Sequence, residues 1–99
     1  MRLSEFEVDA IKQVVHRIAG PAAQVRLFGS RTDDQARGGD IDLLLEMSVA
    51  AERPALLGAQ VAAGIERLIG ERRIDVLVAA PNLRELPIHR VARAQSLPL

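Results

Sequence analysis

Apolar residues recur at helical spacing through Val8, Ile11, Val14, Val15 and Ile18, and the run is bracketed by a start and a stop signal. Ser4-Glu5-Phe6-Glu7 reads as a capping box, with Leu3 placed to staple against Val8, and Gly20-Pro21 breaks the pattern. The spacing predicts a first helix from about Glu5 to Ala19. A strand follows at about Gln24 to Phe28, ending at Gly29. Ser30 to Gly39 is polar and small, which reads as a short helical turn and loop before a second strand at about Ile41 to Met47.

Ser48 to Arg53 is a connector, and Pro54 suits the first turn of a second helix. Leu57, Val61, Ile65 and Leu68 form one stripe on it, and Gly70 can close it in the left-handed conformation. Gly58, Ala59, Ala62, Ala63 and Gly64 weaken that helix by roughly 1 kcal/mol per glycine, which points to close approach of another element or, as the preferred reading, to tight packing on the sheet. A third strand runs from about Ile74 to Ala80, before Pro81. Leu86 to Gln95 reads as a final short amphipathic helix with Arg90 and Arg93 outward.

This order of elements predicts a two-layer α/β (α+β) domain, a small mixed sheet with helices packed against it. The helical crossover between strands two and three allows them to lie parallel, whereas the short link between strands one and two suits a different pairing. No internal repeat or interdomain linker interrupts the 99 residues, so residues 1–99 read as a single domain with one core.

The strand after the polar loop carries the chemistry. In an extended chain Asp40 and Asp42 point the same way while Ile41, Leu43 and Leu45 point into a core. Strands disfavour Asp, and like charges held together are destabilising unless they share a cation. Mg²⁺, a hard ion that takes carboxylate and phosphate oxygens, fits that need. A third acid, Asp75, lies in the apolar run Arg73-Ile74-Asp75-Val76-Leu77-Val78, and the predicted topology sets it beside the other two on one exposed face. Asp33 and Asp34 sit in the polar loop and read as solvated, and Glu46 continues the Asp42 face too far along to join. His16 reads as a helix-surface residue and His89 as a surface or cap residue, neither with a catalytic role.

Composition narrows the partners. The formal net charge is zero, so nonspecific attraction to nucleic acid is not favoured. Twelve of the thirteen basic residues are arginine, but they are spread along the chain, as biased codon usage would leave them. With no cysteine, disulfides and thiolate metal sites are excluded, and the two histidines lack ligand spacing. No apolar run is long enough to span a bilayer and no leader is evident, so a cytoplasmic protein without membrane attachment is expected. Phe6 and Phe28 are the only aromatic side chains able to stack a base.

Leu27-Phe28-Gly29-Ser30-Arg31, nine residues between Ser30 and Asp40, and Gly38-Gly39-Asp40-Ile41-Asp42-Leu43 together resemble the signature of the DNA polymerase β-like nucleotidyltransferase superfamily. Within it, the short chain is similar to the minimal nucleotidyltransferases, or MNT proteins, over about Val25 to Val78. The gap from Ser30 to Asp40 is one residue shorter than in many of them. The resemblance implies a polymerase β palm-like fold and transfer of NMP from an NTP, with ATP the expected donor, to a hydroxyl. It implies two Mg²⁺ ions, with Asp40 and Asp42 binding both and Asp75 holding the catalytic ion and orienting or deprotonating the acceptor. Gly29 would let the backbone approach the triphosphate, Ser30 would hydrogen-bond its terminal phosphates, and Arg31 would add a phosphate contact.

The resemblance also implies a helical HEPN partner, a toxin that this chain would silence as antitoxin by adenylylation. Having no tyrosine, the chain cannot modify itself on one. Two alternatives stay open: neutralisation by binding alone, and modification of a small molecule with a second subunit closing the acceptor pocket. A site so open leaves both a homodimer and a hetero-oligomer in play.

Overall fold

The capping box at the start of α1 (Glu5–Ala19) forms as the sequence predicts. The Glu7 N–H donates to Ser4 Oγ at 3.1 Å, and the Ser4 N–H donates to the Glu7 carboxylate at 3.0 Å, so two donors that the helix leaves orphaned are satisfied reciprocally. Gly20, at φ +97°, ends the helix, its N–H returning to the His16 carbonyl. The computed structural model describes residues 3–29, 40–70 and 72–99. Ser30, Arg31, Asp33, Asp34 and Gly38-Gly39 therefore lie outside the described residues.

The chain continues through β1 (Gln24–Phe28), β2 (Ile41–Glu46), α2 (Pro54–Ile69), β3 (Ile74–Ala79), α3 (Pro87–Ala94) and β4 (Leu97–Pro98). The described strands form one mixed sheet in the order β3-β2-β1-β4. β1 pairs antiparallel with β2, and β2 pairs parallel with β3 across the α2 crossover, as the loop lengths require. The parallel ladder is tied at both ends: the Ile41 N–H donates to the Arg73 carbonyl at 2.9 Å, and the Met47 N–H donates to the Ala79 carbonyl at 2.8 Å. β2 and β3 each stop one residue short of the predicted boundary, and α3 is one residue shorter at each end.

Alternation along the strands sorts the two faces. Val25, Leu27, Ile41, Leu43, Leu45, Ile74 and Val78 turn toward α1 and α2 and form the main core with Ile11, Val14, Val15, Val61 and Ile65. The opposite face carries Arg26, Phe28, Asp42, Leu44, Glu46 and Asp75. Leu44 is fully buried there yet stands outside the main core cluster, because α3 packs over β1 and β2 on that side.

Several residues depart from the expected pattern. Leu68 is 46% exposed, off the apolar stripe of α2, while Gly58 and Gly64 are buried on its inner side. Gly58 packs on the sheet as expected, since a β-carbon there would stand 3.3 Å from the Val76 carbonyl oxygen. Gly64 instead faces α1, where a β-carbon would come within 2.8 Å of Val14 Cγ1. β4 has no counterpart in the sequence reading, because a two-residue strand is too short to show alternation. Asn82 joins the loops that follow β2 and β3, accepting from the Ala51 N–H and donating to the Ala51 carbonyl, both at 2.8 Å.

Candidate functional site

Because β1 runs against β2 while β3 runs with it, the end of β1 meets the beginnings of β2 and β3 at one edge of the sheet. In the register of the sheet Phe28 lies opposite Asp42, and Asp42 lies opposite Asp75. Registered neighbours on adjacent strands project to the same face, with strands spaced by about 4.8 Å. Asp42 and Asp75 are therefore fixed as neighbours by backbone hydrogen bonding. Asp40, exposed just ahead of β2, follows the same alternation two residues away.

Gly29 closes the other side. It follows β1 directly with φ +77°, a left-handed conformation that glycine adopts without steric cost. Its missing side chain makes room for Asp42: a β-carbon at position 29 would overlap the Asp42 carboxylate. The turn and the acid are thus packed as one unit. Phe28, half-buried, lies across from Asp42 on the same face, so one of the two aromatic residues stands beside the acids.

The charges interact. Partial burial raises the Asp42 carboxyl above the usual carboxylate range, and the negative charges of Asp75 and then Asp40 raise it further. Arg73 acts the other way. Its Nε lies 3.5 Å from Asp75 Oδ2, with both side chains largely exposed. Sequence reading passed over Arg73, although the signal was present: two residues apart on a strand, Arg73 and Asp75 share a face.

Among the described residues, no group of three Asp, Glu, His or Cys side chains is gathered closely enough to hold a metal ion. What the structure brings together is the registered pair Asp42 and Asp75, the nearby Asp40 and the Gly29 turn. These residues are hard oxygen donors, the ligand class a divalent cation takes, and burial first and then the neighbouring negative charges lift Asp42 above its ordinary value. Ser30 and Arg31, expected to contact phosphate, lie outside the described residues.

Farther along the same face, Glu46 pairs with Arg93 at 3.6 Å, and Arg93 also engages Glu85, which in turn pairs with Arg90. Glu46 is thereby committed to α3. Of the two expectations for His89, surface or cap residue, the cap holds and the surface does not: at 5% exposed, it caps α3 from a buried position. Its Nδ1 accepts from the Leu86 N–H at 2.9 Å, which leaves Nε2 to donate to the Val78 carbonyl at 3.1 Å. A cavity of about 180 Å³ lies beside it, lined by Glu46, Leu83, Arg84 and Glu85 among others, at the opposite end of β2 and β3 from the paired acids.

No helix among the described residues is long and apolar enough to cross a membrane. No protein-family model matches the chain, and no curated protein matches it.

Proposed function

We propose that this chain is a minimal nucleotidyltransferase that transfers NMP, with AMP from ATP the expected group, to a hydroxyl on a partner protein. The observation that carries the reading is the register of β2 against β3, which holds Asp75 next to Asp42 at the end of the sheet where Gly29 turns. Two strand acids are costly at such spacing, and a site that uses them to gather cationic charge gives them a reason to be there.

In this reading the acceptor hydroxyl oxygen attacks the α-phosphorus of the NTP. The new P–O bond forms as the bond to pyrophosphate breaks, and the hydroxyl proton passes toward the Asp75 carboxylate. Asp40 and Asp42 would hold two Mg²⁺ ions, with Asp75 sharing one of them, and metal held there would supply positive charge to the attacking and leaving oxygens. Gly29 keeps the turn free of a side chain where the triphosphate approaches, and Ser30 and Arg31 follow it as phosphate contacts. Phe28, beside Asp42, is the aromatic surface closest to this end of the sheet.

The acceptor comes from outside the chain. Ile88 and Val91, one turn apart on α3, are exposed apolar positions that support a partner. A helical HEPN toxin is the proposed partner, silenced by adenylylation. The test is intact-mass spectrometry of the product of the adjacent gene, incubated with this chain, Mg²⁺ and each NTP in turn. A gain of nucleotide mass that is lost with Asp42→Asn supports the reading. A stable complex without mass gain would replace it with neutralisation by binding.

A further inference from the structure

The two edges of the sheet are built differently. β4 closes one side with two residues, the second of them Pro98, and a short strand bearing proline is a poor template for further pairing. β3 closes the other side with six residues and no proline, and no strand lies beyond it among the described residues. Its main chain alternates. The Arg73 and Ala79 carbonyls accept from the β2 side, so the odd-numbered residues bond inward while Ile74, Val76 and Val78 turn their N–H and carbonyl groups to the open edge. Val78 confirms the direction: its carbonyl accepts from His89 Nε2 at 3.1 Å, outside the ladder. Toward Ile74 the edge remains an unfilled row of donors and acceptors.

We propose that β3 is a self-pairing edge: two copies of the chain join antiparallel through it about a twofold axis at Ile74, with Arg73 of each copy opposite Asp75 of the other. The register follows from the groups on the strand. Only pairings that set even-numbered residues opposite one another align the outward donors and acceptors. Ile74 against Val76 would put the two Asp75 carboxylates directly opposite, and Ile74 against Arg72 would do the same to the two Arg73 guanidinium groups. Like charges there are destabilising. A twofold at Val76 would need the Val78 carbonyl, which His89 already holds. The twofold at Ile74 meets none of these obstacles, and it creates two Arg73–Asp75 pairs at positions not hydrogen-bonded to each other, where facing side chains lie closest. The Arg73 side chain, 73% exposed, already stands on the Asp75 face, 3.5 Å from the carboxylate of its own copy. The two sheets then run into one, with both acid-bearing faces on the same side. This pairing holds whether or not the chain transfers nucleotides.

The test is sedimentation velocity of the whole chain over a range of concentrations, for wild type, Arg73→Asp, Asp75→Arg and the double exchange Arg73→Asp/Asp75→Arg. Wild type should pass from monomer to dimer as concentration rises. Each single exchange sets like charges opposite one another at both symmetric positions and should weaken the dimer by about tenfold or more, and the double exchange should restore it. Hydrogen exchange on wild type gives a readout that needs no variant. The Ile74 amide should slow as the dimer forms, while the Asp75 amide, already bonded to β2, should not change. A wild-type chain that stays monomeric throughout, or a dimer in which the Ile74 amide exchanges at the same rate at every concentration, would overturn the proposal. So would a dimer that both single exchanges leave as tight as wild type. Weakening by the single exchanges without recovery in the double one would overturn the register at Ile74.

Discussion

Gly29 and Asp42 occupy each other's space: the Asp42 carboxylate lies where a side chain at position 29 would begin. The relationship links the turn after β1 to the second residue of β2, and it makes the backbone conformation and the position of the acid depend on one another. Gly29→Ala tests this link. At φ +77° an alanine meets a backbone penalty of about 1–2 kcal/mol, and its β-carbon displaces the Asp42 side chain. The expected outcome is a modest loss of stability by denaturant unfolding and a larger loss of the proposed nucleotidyl transfer. A variant that unfolds earlier yet transfers at the wild-type rate would separate the turn from the site.

Asp42 should oppose stability while serving the site. Its carboxyl is raised above the ordinary value, so the folded state holds the proton more tightly than the unfolded chain does. The sign follows directly. Stability is greatest below the ordinary carboxylate value, and some of it is lost as pH rises through the raised value in the fold. Asp42→Asn removes that loss. It should match wild type in acid and exceed it at neutral pH, when thermal unfolding is followed across the range without metal. The same variant should lose transfer by about 10²-fold or more, in line with deleting a group that stabilises charge in a transition state. A variant less stable than wild type at neutral pH would show that Asp42 makes a favourable contact that the charge argument omits.

Most of this arrangement was legible in the sequence, for physical reasons that differ by element. α1 declared itself through a capping box and a sustained helical stripe, and β2 through an apolar run that Asp40 and Asp42 enter in alternation with Ile41 and Leu43. The pairing of Asp42 with Asp75 followed from topology, since a helical crossover sets β2 and β3 parallel. What stayed hidden depends on tertiary context. β4 exists because Leu97 and Pro98 reach β1, and nothing local marks it. Leu44 is buried only because α3 crosses the open face, and the burial of His89 depends on the Val78 carbonyl behind it. Arg73 shares a face with Asp75 by the alternation of the strand, but an arginine beside an acid on an exposed face carries no local mark of its own.

The two buried glycines of α2 should respond differently to alanine. Alanine favours a helix interior over glycine by about 1 kcal/mol, so either substitution gains that much before packing is counted. At Gly64 the new β-carbon would lie 2.8 Å from Val14 Cγ1, on a buried β-branched side chain with little rotamer freedom. Overpacking of this kind costs roughly 1–3 kcal/mol, which outweighs the helical gain. At Gly58 the closest atom, the Val76 carbonyl oxygen, is 3.3 Å away, and a shift of a few tenths of an ångström accommodates the methyl. Urea unfolding should place Gly64→Ala below wild type and Gly58→Ala close to it. The reverse order would mean that α2 is held by the sheet more rigidly than by α1.

His89 fastens α3 to the edge of the sheet, and its removal should loosen that helix without reaching the acids. Its ring accepts from the partly buried Leu86 N–H on one side and donates to the buried Val78 carbonyl on the other. His89→Ala deletes both bonds and leaves a void next to the cavity. An unsatisfied buried polar group costs about 1–3 kcal/mol, so a loss in that range is expected by denaturant unfolding. Hydrogen exchange should then quicken in α3 and β4, which Arg93 and Ser96 connect through the bond from Ser96 Oγ to the Arg93 carbonyl. Protection in β2 and β3 around Asp42 and Asp75 should change little, because that pairing rests on the parallel ladder and the main core. Loss of protection at Asp42 and Asp75 together with α3 would show that α3 and the acid pair belong to one cooperative unit.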